Sequence, residues 1–393
     1  MRVFTIVICH TPETRSISCR FSAPTTRLSP TVPLIPWRKN LKKTIKFVAV
    51  FAAAALAFGA APAATAANAT KACLALDTGG VDDKSFNASA WSGAQAAAKA
   101  NSAITVKYLA ATTDADYAPN IKKLVDEKCN IIIGVGYLIN PAIVAAAKTN
   151  PTVNFAIVDQ DGQDHGADGS VYPGKTYPNL KGIEFSTNQA AFQAGYLAAG
   201  VSKTGKVATF GGANIPPVTI FMDGFAKGVA YYNKVKGKKV TVLGWDTVKQ
   251  DGLMVGNFSD LAKALQYSIS FEQQGADVIL PVGGNLGSST AENALKSKKS
   301  VVIWVDKDGF VAAPQYRKVM LTSIVKAVDL SVKNTITEQQ AGQFTNTNYN
   351  GTLKNAGVYL APYHDLVRMV PSALRTEISK LGTDIRNGKV SVK

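Results

Sequence analysis

The sequence predicts an α/β protein built as two doubly wound lobes, each with a parallel sheet, joined by a hinge. From residue 72 onward, short β-branched and apolar runs alternate with helical segments. The runs are apolar at successive positions, which is typical of parallel strands covered by helices on both faces. The alternation occurs twice along a chain that is too long for one ordinary domain.

Nine segments have the composition of buried strands. They are residues 72–76, 104–109, 131–135, 155–158, 183–185, 207–210, 240–243, 278–281 and 301–305. Apolar residues recur with the helical period of about 3.6 between them, for example at 88–100, 117–127 and 261–271. The polar stretch 339–351 predicts a surface loop.

These segments divide the chain into a leader and two lobes. Residues 68–187 are expected to form an N-terminal lobe, with a return segment at about 306–340. Residues 188–305 are expected to form a C-terminal lobe, with a return segment at about 352–393. Ligands bind at the carboxyl ends of the strands in doubly wound sheets, so the expected site is the cleft between the lobes.

Residues 1–67 have the features of an export leader. Basic residues between 38 and 46 precede the apolar run 47–61, which is followed by Ala-x-Ala sites near 64–69. This order is that of a secretory signal peptide. A transmembrane anchor is the alternative, but the run is alanine-rich and short for a span of about 20 residues. Residues 1–36 lie upstream of this signal and indicate an over-extended start. Because of the predicted signal peptide, the mature protein is expected in the periplasm, at the cell surface or outside the cell.

Most of the basic charge belongs to the leader. The formal net charge of +16 falls to +8 without residues 1–67, which hold nine basic residues and one acidic residue. Lysines concentrate at 234–239 and 296–299 without the interleaved aromatic residues that nucleic-acid surfaces carry. We therefore expect a solvated rim and no nucleic-acid partner.

Two cysteines remain beyond the leader, Cys73 and Cys129. Both lie at the amino ends of predicted strands that could be neighbours in a parallel sheet. In an exported protein the pair is a candidate disulfide, and two buried thiols are the alternative.

The loop after the first strand is the most informative stretch of the sequence. Residues 77–87 are DTGGVDDKSFN. They offer an aromatic ring, an amide and several carboxylates, but no histidine or cysteine, so the usual nucleophile and base pair is missing. The loop therefore predicts a binding protein without a catalytic residue or cofactor. In the structural alternative the paired glycines form a turn, Phe86 lies in the core and Ser85 caps the following helix, and for Ser85 this capping role is the expected one.

Other motifs for catalysis or metal binding are incomplete. The triplet at 77–79 occurs in aspartic proteases, but no second copy exists and the α/β alternation does not fit that all-β fold. Residues 200–206 approach a phosphate-binding loop, yet Val207 replaces the magnesium ligand, so a turn is expected. No metal site is expected, because the spacing of a calcium loop is absent from Asp159, Asp161, Asp164 and Asp168 and the three histidines form no zinc motif.

Several motifs along the chain carry a family resemblance. They are DTGGVDDKSFN at 77–87, GVG at 134–136, FAIVD at 155–159, GADVI at 275–279, VD at 305–306, TSIVK at 322–326 and the glycine pairs 211–212 and 283–284. Together they resemble the basic membrane protein family of ABC-transporter substrate-binding proteins, whose best understood members are purine nucleoside receptors. The resemblance implies a type I periplasmic-binding fold that acts as a monomer, closes on a nucleoside and delivers it to an ABC permease in the membrane.

The resemblance also assigns roles around the base of the nucleoside. Phe86 would stack on the base, Asp77 and Asn87 would hydrogen-bond its edges, and Asp159 would accept a hydrogen bond from a ring N–H. These residue types suit a flat heterocycle with N–H donors. Each has a structural alternative, with Phe86 in the core and the two aspartates as helix caps.

The ribose would be held from the second lobe. The resemblance assigns this role to Asp306 and Lys326, for which a turn residue and an exposed helical lysine are the alternatives. A second stacking ring is expected from the same lobe, and Phe258 and Trp304 both remain candidates for it.

Three features depart from the family pattern. Asn285 follows Gly284 where another small residue is expected, so it could add a hydrogen bond at the ligand. A polar insert occupies 160–179. Cys73 lies within the first strand and not in a lipid-attachment motif, so no lipid anchor is expected.

The alternative function is binding or sensing of a sugar or another small signalling molecule by the same fold.

Overall fold

The computed structural model describes residues 69–166 and 173–392. The signal peptide and over-extended start predicted for 1–67 lie outside the described residues, as does Asp168. Within the described ranges, no helix is both long enough and apolar enough to span a bilayer.

Sixteen strands are found in the described ranges. They are β1 (Thr70–Leu76), β2 (Ile104–Ala110), β3 (Ile131–Val135), β4 (Asn154–Val158), β5 (Gln163–Asp164), β6 (Lys175–Thr176), β7 (Leu180–Phe185), β8 (Lys206–Gly211), β9 (Thr241–Leu243), β10 (Trp245–Asp246), β11 (Asp251–Gly252), β12 (Val278–Val282), β13 (Val301–Asp306), β14 (Met320–Lys326), β15 (Tyr349–Gly351) and β16 (Val358–Leu360). All nine predicted strands are present.

Ten α-helices are found in the same ranges. They are α1 (Phe86–Ala100), α2 (Tyr117–Asp126), α3 (Asn140–Thr149), α4 (Asn188–Val201), α5 (Pro216–Lys236), α6 (Leu261–Gln273), α7 (Leu286–Ser297), α8 (Gly309–Ala312), α9 (Val328–Gln340) and α10 (Ser372–Arg386). Short 3-10 helices cover Asp114–Asp116, Pro314–Val319 and His364–Met369.

The strands form two six-stranded sheets with matching topology. The first has the order β2-β1-β3-β4-β7-β15 and the second has the order β9-β8-β12-β13-β14-β16. Neighbouring strands are parallel in both, apart from the antiparallel pair β14–β16. Two small antiparallel ribbons, β5–β6 and β10–β11, lie outside the sheets. The predicted fold of two doubly wound parallel-sheet lobes is confirmed.

Both faces of the sheets are buried, as the continuous apolar runs require. On β1, Leu74 and Leu76 belong to a core shared with α1, whereas Cys73 and Ala75 belong to a separate core with α2 and α3. Helix α9 packs against α1 in the first lobe, and α4, α5 and α10 pack together in the second.

The return segments differ from the sequence-based boundaries. The strand β14 pairs with β13 in the second sheet, so the chain up to Lys326 stays in the second lobe. It then enters the first lobe through α9 and β15, and β15 lies at the end of the stretch 339–351 that was expected to be a loop. The sequence could not place β14, because its apolar run would complete either sheet equally well.

The two cysteines of the described chain are joined in a disulfide between neighbouring strands. Cys73 lies in β1, Cys129 precedes β3, and the Cα atoms are 6.0 Å apart. Both side chains are buried. The bridge ties the start of β3 to β1 across 56 residues of sequence.

Residues 202–205 form the expected turn between α4 and β8. The carboxylate of Asp277 accepts hydrogen bonds from the backbone N–H groups of Lys203 (2.6 Å) and Thr204 (3.1 Å) and from the hydroxyl of Ser202 (2.7 Å). A side chain of the protein thus occupies the N–H groups that a phosphate would need.

Candidate ligand site

The carboxyl ends of both sheets border one cavity with an empty volume of about 590 Å³. The carboxyl ends of doubly wound sheets are a usual place for small-molecule sites. The structure brings all nine predicted site residues to its lining: Asp77, Phe86, Asn87, Asp159, Phe258, Gly284, Asn285, Asp306 and Lys326. The cavity therefore lies between the two lobes, where the doubly wound topology predicts it.

Asp83 organises the loop that begins the site. One carboxylate oxygen accepts from the backbone N–H groups of Ser85 (2.9 Å) and Ala88 (3.0 Å), and the other accepts from Asn87 (2.9 Å). These are donors at the amino end of α1 that would otherwise lack partners. Burial raises the pKa of Asp83 to about 6. The role of Asp83 was not identified from the sequence, because Asp83 and Ser85 are both suitable capping residues before the helix.

The expected capping role of Ser85 is wrong. Its side chain makes no cap hydrogen bond to α1. The buried hydroxyl instead lies 2.7 Å from Oδ2 of Asp306 and 3.0 Å from the carbonyl oxygen of Val305. The physical reason is that Asp83 already accepts from the helix N–H groups, which leaves Ser85 to join the first lobe to the second.

Asp77 lines the cavity, and its side-chain hydrogen bonds converge on one carboxylate oxygen. Its Oδ1 accepts from the Tyr117 hydroxyl and from the backbone N–H of Thr78 at 2.6 Å. Its Oδ2 faces Gly136, where an added Cβ would lie only 2.4 Å away. Burial raises the pKa of Asp77, while the hydrogen bond from Tyr117 acts in the opposite direction. Tyr117 is a second supporting residue that sequence analysis missed.

Asn87 holds the loop with one end of its amide and leaves the other unpaired. Its Nδ2 donates to the carbonyl oxygens of Asp77 (3.3 Å), Thr78 (3.3 Å) and Gly80 (3.1 Å). Its Oδ1 is buried without a hydrogen-bond partner. An orphaned acceptor in a cavity lining is suited to a ligand N–H or O–H donor.

Lys326 of the second lobe connects the two lobes through Asp159 and also lies near Asp306 of its own lobe. Its Nζ donates to both carboxylate oxygens of Asp159 at 2.8 and 2.7 Å and lies 3.7 Å from Oδ1 of Asp306. Lys326 is only 2% exposed at the end of β14, which excludes the alternative of an exposed helical lysine. Burial raises the pKa of Asp159, against the opposing effect of Lys326.

Both aspartates have left-handed backbone conformations, with φ of 69° at Asp159 and 66° at Asp306. Asp159 directly follows β4 and Asp306 is the last residue of β13, and each of these strands is the fourth in its sheet order. Such conformations are uncommon for residues other than glycine and cluster at functional sites.

The rings of Phe86 and Phe258 contribute to the lining from opposite lobes. The Nζ of Lys326 lies 4.7 Å from the centre of the Phe86 ring. The Phe258 ring lies against Gly212, where an added Cβ would be 2.4 Å from its carbon atoms. Trp304, the other candidate for the second ring, is buried in a separate core and donates its Nε1–H to the carbonyl of Lys84 at 3.3 Å.

Gly284 and Asn285 connect β12 to α7. Gly284 has a φ of +53°, and an added Cβ would lie 3.3 Å from Oδ2 of Asp83 in the other lobe. The Oδ1 of Asn285 accepts from the Ser288 hydroxyl at 2.7 Å within the first turn of α7. Apolar side chains, Ile215, Val218 and Phe221 among them, complete the lining.

Two doubly wound lobes with a shared cavity at their strand ends define the class of two-lobed ligand-binding proteins. The lining offers rings and acceptors but contains no cysteine, serine or histidine. Among the described residues, no cluster of potential ligands could hold a metal ion.

Comparison with known proteins places the chain within this class. Residues 71–393 match the family model of the PnrA-like ABC transporter substrate-binding proteins. The chain belongs to this family and is an ABC-transporter substrate-binding protein, as the motifs indicated.

Two relatives show the extent of the match. The chain is 30% identical over 341 residues to the ABC transporter nucleoside-binding protein BmpA of Lactococcus lactis subsp. cremoris, covering 82% of this chain and 88% of the relative. It is 32% identical over 287 residues to the CD4+ T-cell-stimulating antigen of Listeria monocytogenes serovar 1/2a, covering 69% and 74%.

Solved structures share the fold. A solute-binding protein of an ABC transporter system from Aeropyrum pernix K1 aligns with a TM-score of 0.70 at 21% identity, covering 82% of this chain and 92% of that one. The glucose-galactose binding protein GanP from Geobacillus stearothermophilus aligns with a TM-score of 0.52 at 15% identity, covering 76% and 99%.

Proposed function

We propose that the protein binds a nucleoside with a purine base in the cavity between its lobes and delivers it to the permease of an ABC importer. The observation that carries this proposal is the pair of phenyl rings, Phe86 and Phe258, that line one cavity from opposite lobes. Two rings suit a flat base that is enclosed when the lobes close. The name of the Lactococcus lactis relative supports the same ligand class.

The polar groups of the first lobe suit the edges of a base. Oδ2 of Asp77, the unpaired Oδ1 of Asn87 and the carboxylate of Asp159 are all acceptors. A carboxylate has about four lone-pair sites, so Asp159 can hold Lys326 and still accept from a ring N–H. The second lobe contributes Asp306 together with Lys326, which suit the paired hydroxyls of ribose.

The proposal includes the transport cycle. The ligand docks on one lobe, the other lobe rotates over it, and the permease recognises the closed form. The protein acts as an exported monomer without a lipid anchor, and it binds its ligand without converting it.

A thermal-shift panel tests the ligand class. The purified protein is unfolded and refolded to remove bound ligand, and then heated with purine and pyrimidine nucleosides, free bases, pentoses and hexoses. A ligand at a hundred times its dissociation constant stabilises the protein by about 2.7 kcal/mol, which is readily measured. Stabilisation by nucleosides alone supports the proposal. Stabilisation by sugars alone replaces it with sugar binding by the same fold.

A further inference from the structure

Most side-chain donors that line the ligand cavity are already used. Nδ2 of Asn87 donates to three carbonyl oxygens, and Nζ of Lys326 donates to Asp159. The Thr78 hydroxyl lies 3.4 Å from Oδ1 of Asp77. Purine bases carry ring-nitrogen acceptors as well as N–H donors, and an acceptor that is enclosed without a donor loses its hydrogen bond to water. A base in this cavity therefore needs a donor from elsewhere in the lining.

Asn285 has an unused donor. It lines the cavity directly before α7 and is half-buried. Its Oδ1 accepts from the Ser288 hydroxyl at 2.7 Å, which fixes the amide and leaves Nδ2 as its free end. Among the described residues this Nδ2 has no hydrogen-bond partner, and it is not one of their buried unpaired side-chain atoms, so it remains accessible.

The sheet topology fixes where Asn285 lies along the edge of the second lobe. It follows β12, which pairs with β8 on one side and with β13 on the other. At the end of β8, the backbone N–H of Gly212 donates to the carbonyl of Val282 at 2.8 Å, and the Phe258 ring lies against Gly212. The strand β13 ends at Asp306. Asn285 therefore comes between the ring that would stack on the base and the carboxylate that would hold the ribose.

The segment that carries Asn285 also faces the first lobe. A Cβ added to Gly284 would lie 3.3 Å from Oδ2 of Asp83. Asp83 in turn accepts from the backbone N–H of Ser85, the residue before Phe86. The backbone next to Asn285 thus meets the loop that bears the other ring, which places the amide where the two lobes come together at the cavity.

We propose that Nδ2 of Asn285 donates a hydrogen bond to N3 of the bound purine base. N3 is the ring acceptor next to the glycosidic bond, so it lies between the stacked base and the ribose, as Asn285 does. This inference rests on the proposed function, because it takes the base between Phe86 and Phe258 and the ribose at Asp306. Asn285 then restricts the substrate class to nucleosides whose base has an acceptor beside the glycosidic bond.

Calorimetric titration with ring-modified nucleosides tests the inference. Adenosine and guanosine are each compared with their 3-deaza and 7-deaza analogues, in which C–H replaces N3 or N7, in mildly alkaline buffer that keeps the adenosine series uncharged. We expect the parent nucleoside that binds more tightly to exceed its 3-deaza analogue about tenfold in affinity. Equal affinities overturn the inference while leaving nucleoside binding intact. If neither parent nucleoside binds, the proposed function fails first, and the inference fails with it.

Variants locate the donor. Asn285→Ala is expected to weaken binding of the parent nucleoside about tenfold and that of the 3-deaza analogue less than about twofold, with the parent-to-7-deaza ratio unchanged. Tyr137→Phe is the matched control, because it removes a hydroxyl from the first-lobe side of the lining and should keep the parent-to-3-deaza ratio of the wild type. A ratio that persists in Asn285→Ala, or that falls only in Tyr137→Phe, overturns the assignment.

Discussion

The charged side chains that line the ligand cavity are mostly acidic. Four are carboxylates, Asp77, Asp83, Asp159 and Asp306, and one is a cation, Lys326. The carboxylate of Asp83 is occupied by N–H groups at the start of α1, whereas Asp77, Asn87, Asp159 and Asp306 keep acceptor sites for a ligand. At this scale we expect the site to select ligands that carry N–H or O–H donors.

Replacing Phe86 tests stacking. Phe86→Ala is expected to weaken nucleoside binding by about 1–3 kcal/mol, because a stacked base loses its aromatic partner. Calorimetric titration measures the change. Phe86→Leu is the matched control, since it keeps apolar volume without a π face. If Phe86→Leu binds as tightly as the wild type, the ring contributes packing and not stacking.

Removing the Tyr117 hydroxyl should change the pH dependence of binding. Burial raises the pKa of Asp77, and the hydrogen bond from Tyr117 limits that rise. In Tyr117→Phe the pKa of Asp77 rises further, so a larger fraction of Asp77 is protonated as the pH falls. As the pH is lowered, we expect the affinity of the variant for nucleoside to begin to decline at a higher pH than that of the wild type. Calorimetric titrations at several pH values between about 5 and 8 measure this difference. Parallel pH profiles that differ by a constant factor would contradict this role for Tyr117.

At the scale of elements, the strand ends were the predictable part of the site. Apolar runs in the sequence predicted the strands. The polar residues directly after these runs, such as Asp77 and Asp159, were therefore expected at the carboxyl edge of the sheet, where the structure places them. The roles of Asp83 and Ser85 were not predictable from spacing, because both are suitable capping residues two positions apart. Only the packing of the second lobe against α1 shows which of them caps the helix and which joins the lobes.

The disulfide between β1 and β3 should stabilise the first lobe. The chain-entropy model gives about 4 kcal/mol for a loop of the observed length, and measured values are typically about 2–4 kcal/mol. We expect reduction to lower the free energy of unfolding by about 2–4 kcal/mol in a denaturant titration.

The double variant Cys73→Ala/Cys129→Ala provides the control for this prediction, because it should be insensitive to reductant. Equal stability of the wild type with and without reductant would show that the bridge makes no net contribution.

At the scale of the molecule, the lobes are joined by buried polar contacts as well as by the chain. Lys326 reaches Asp159 across the cleft, and Ser85 reaches Asp306 and the carbonyl of Val305. These contacts lie beside the ligand cavity, so they are part of the arrangement that encloses a ligand. The sequence indicated two lobes, but the contacts between them depend on how the lobes meet and could not be derived from either lobe alone.

Ser85→Ala should therefore act on closure. Losing a hydroxyl donor to a buried carboxylate is expected to cost about 1–3 kcal/mol of binding, mainly as faster dissociation. Stopped-flow measurement of the dissociation rate tests this. Ser331→Ala is the matched control, because the buried Ser331 donates only to the carbonyl of Val328 within α9. An equal effect of both substitutions would indicate a general loss of stability.

Within the described ranges, the chain passes between the sheets after Phe185, after Lys326 and after Gly351. Neither lobe is thus one continuous piece of sequence, and the last two strands, β15 and β16, complete different sheets. A chimera that exchanges one lobe with a relative needs three junctions, at 186–187, 327 and 352–357. A single junction between Lys326 and Gly351 would take both β15 and β16 from the second parent, so each sheet would combine strands of the two parents. The interface between the lobes would then match that of neither parent.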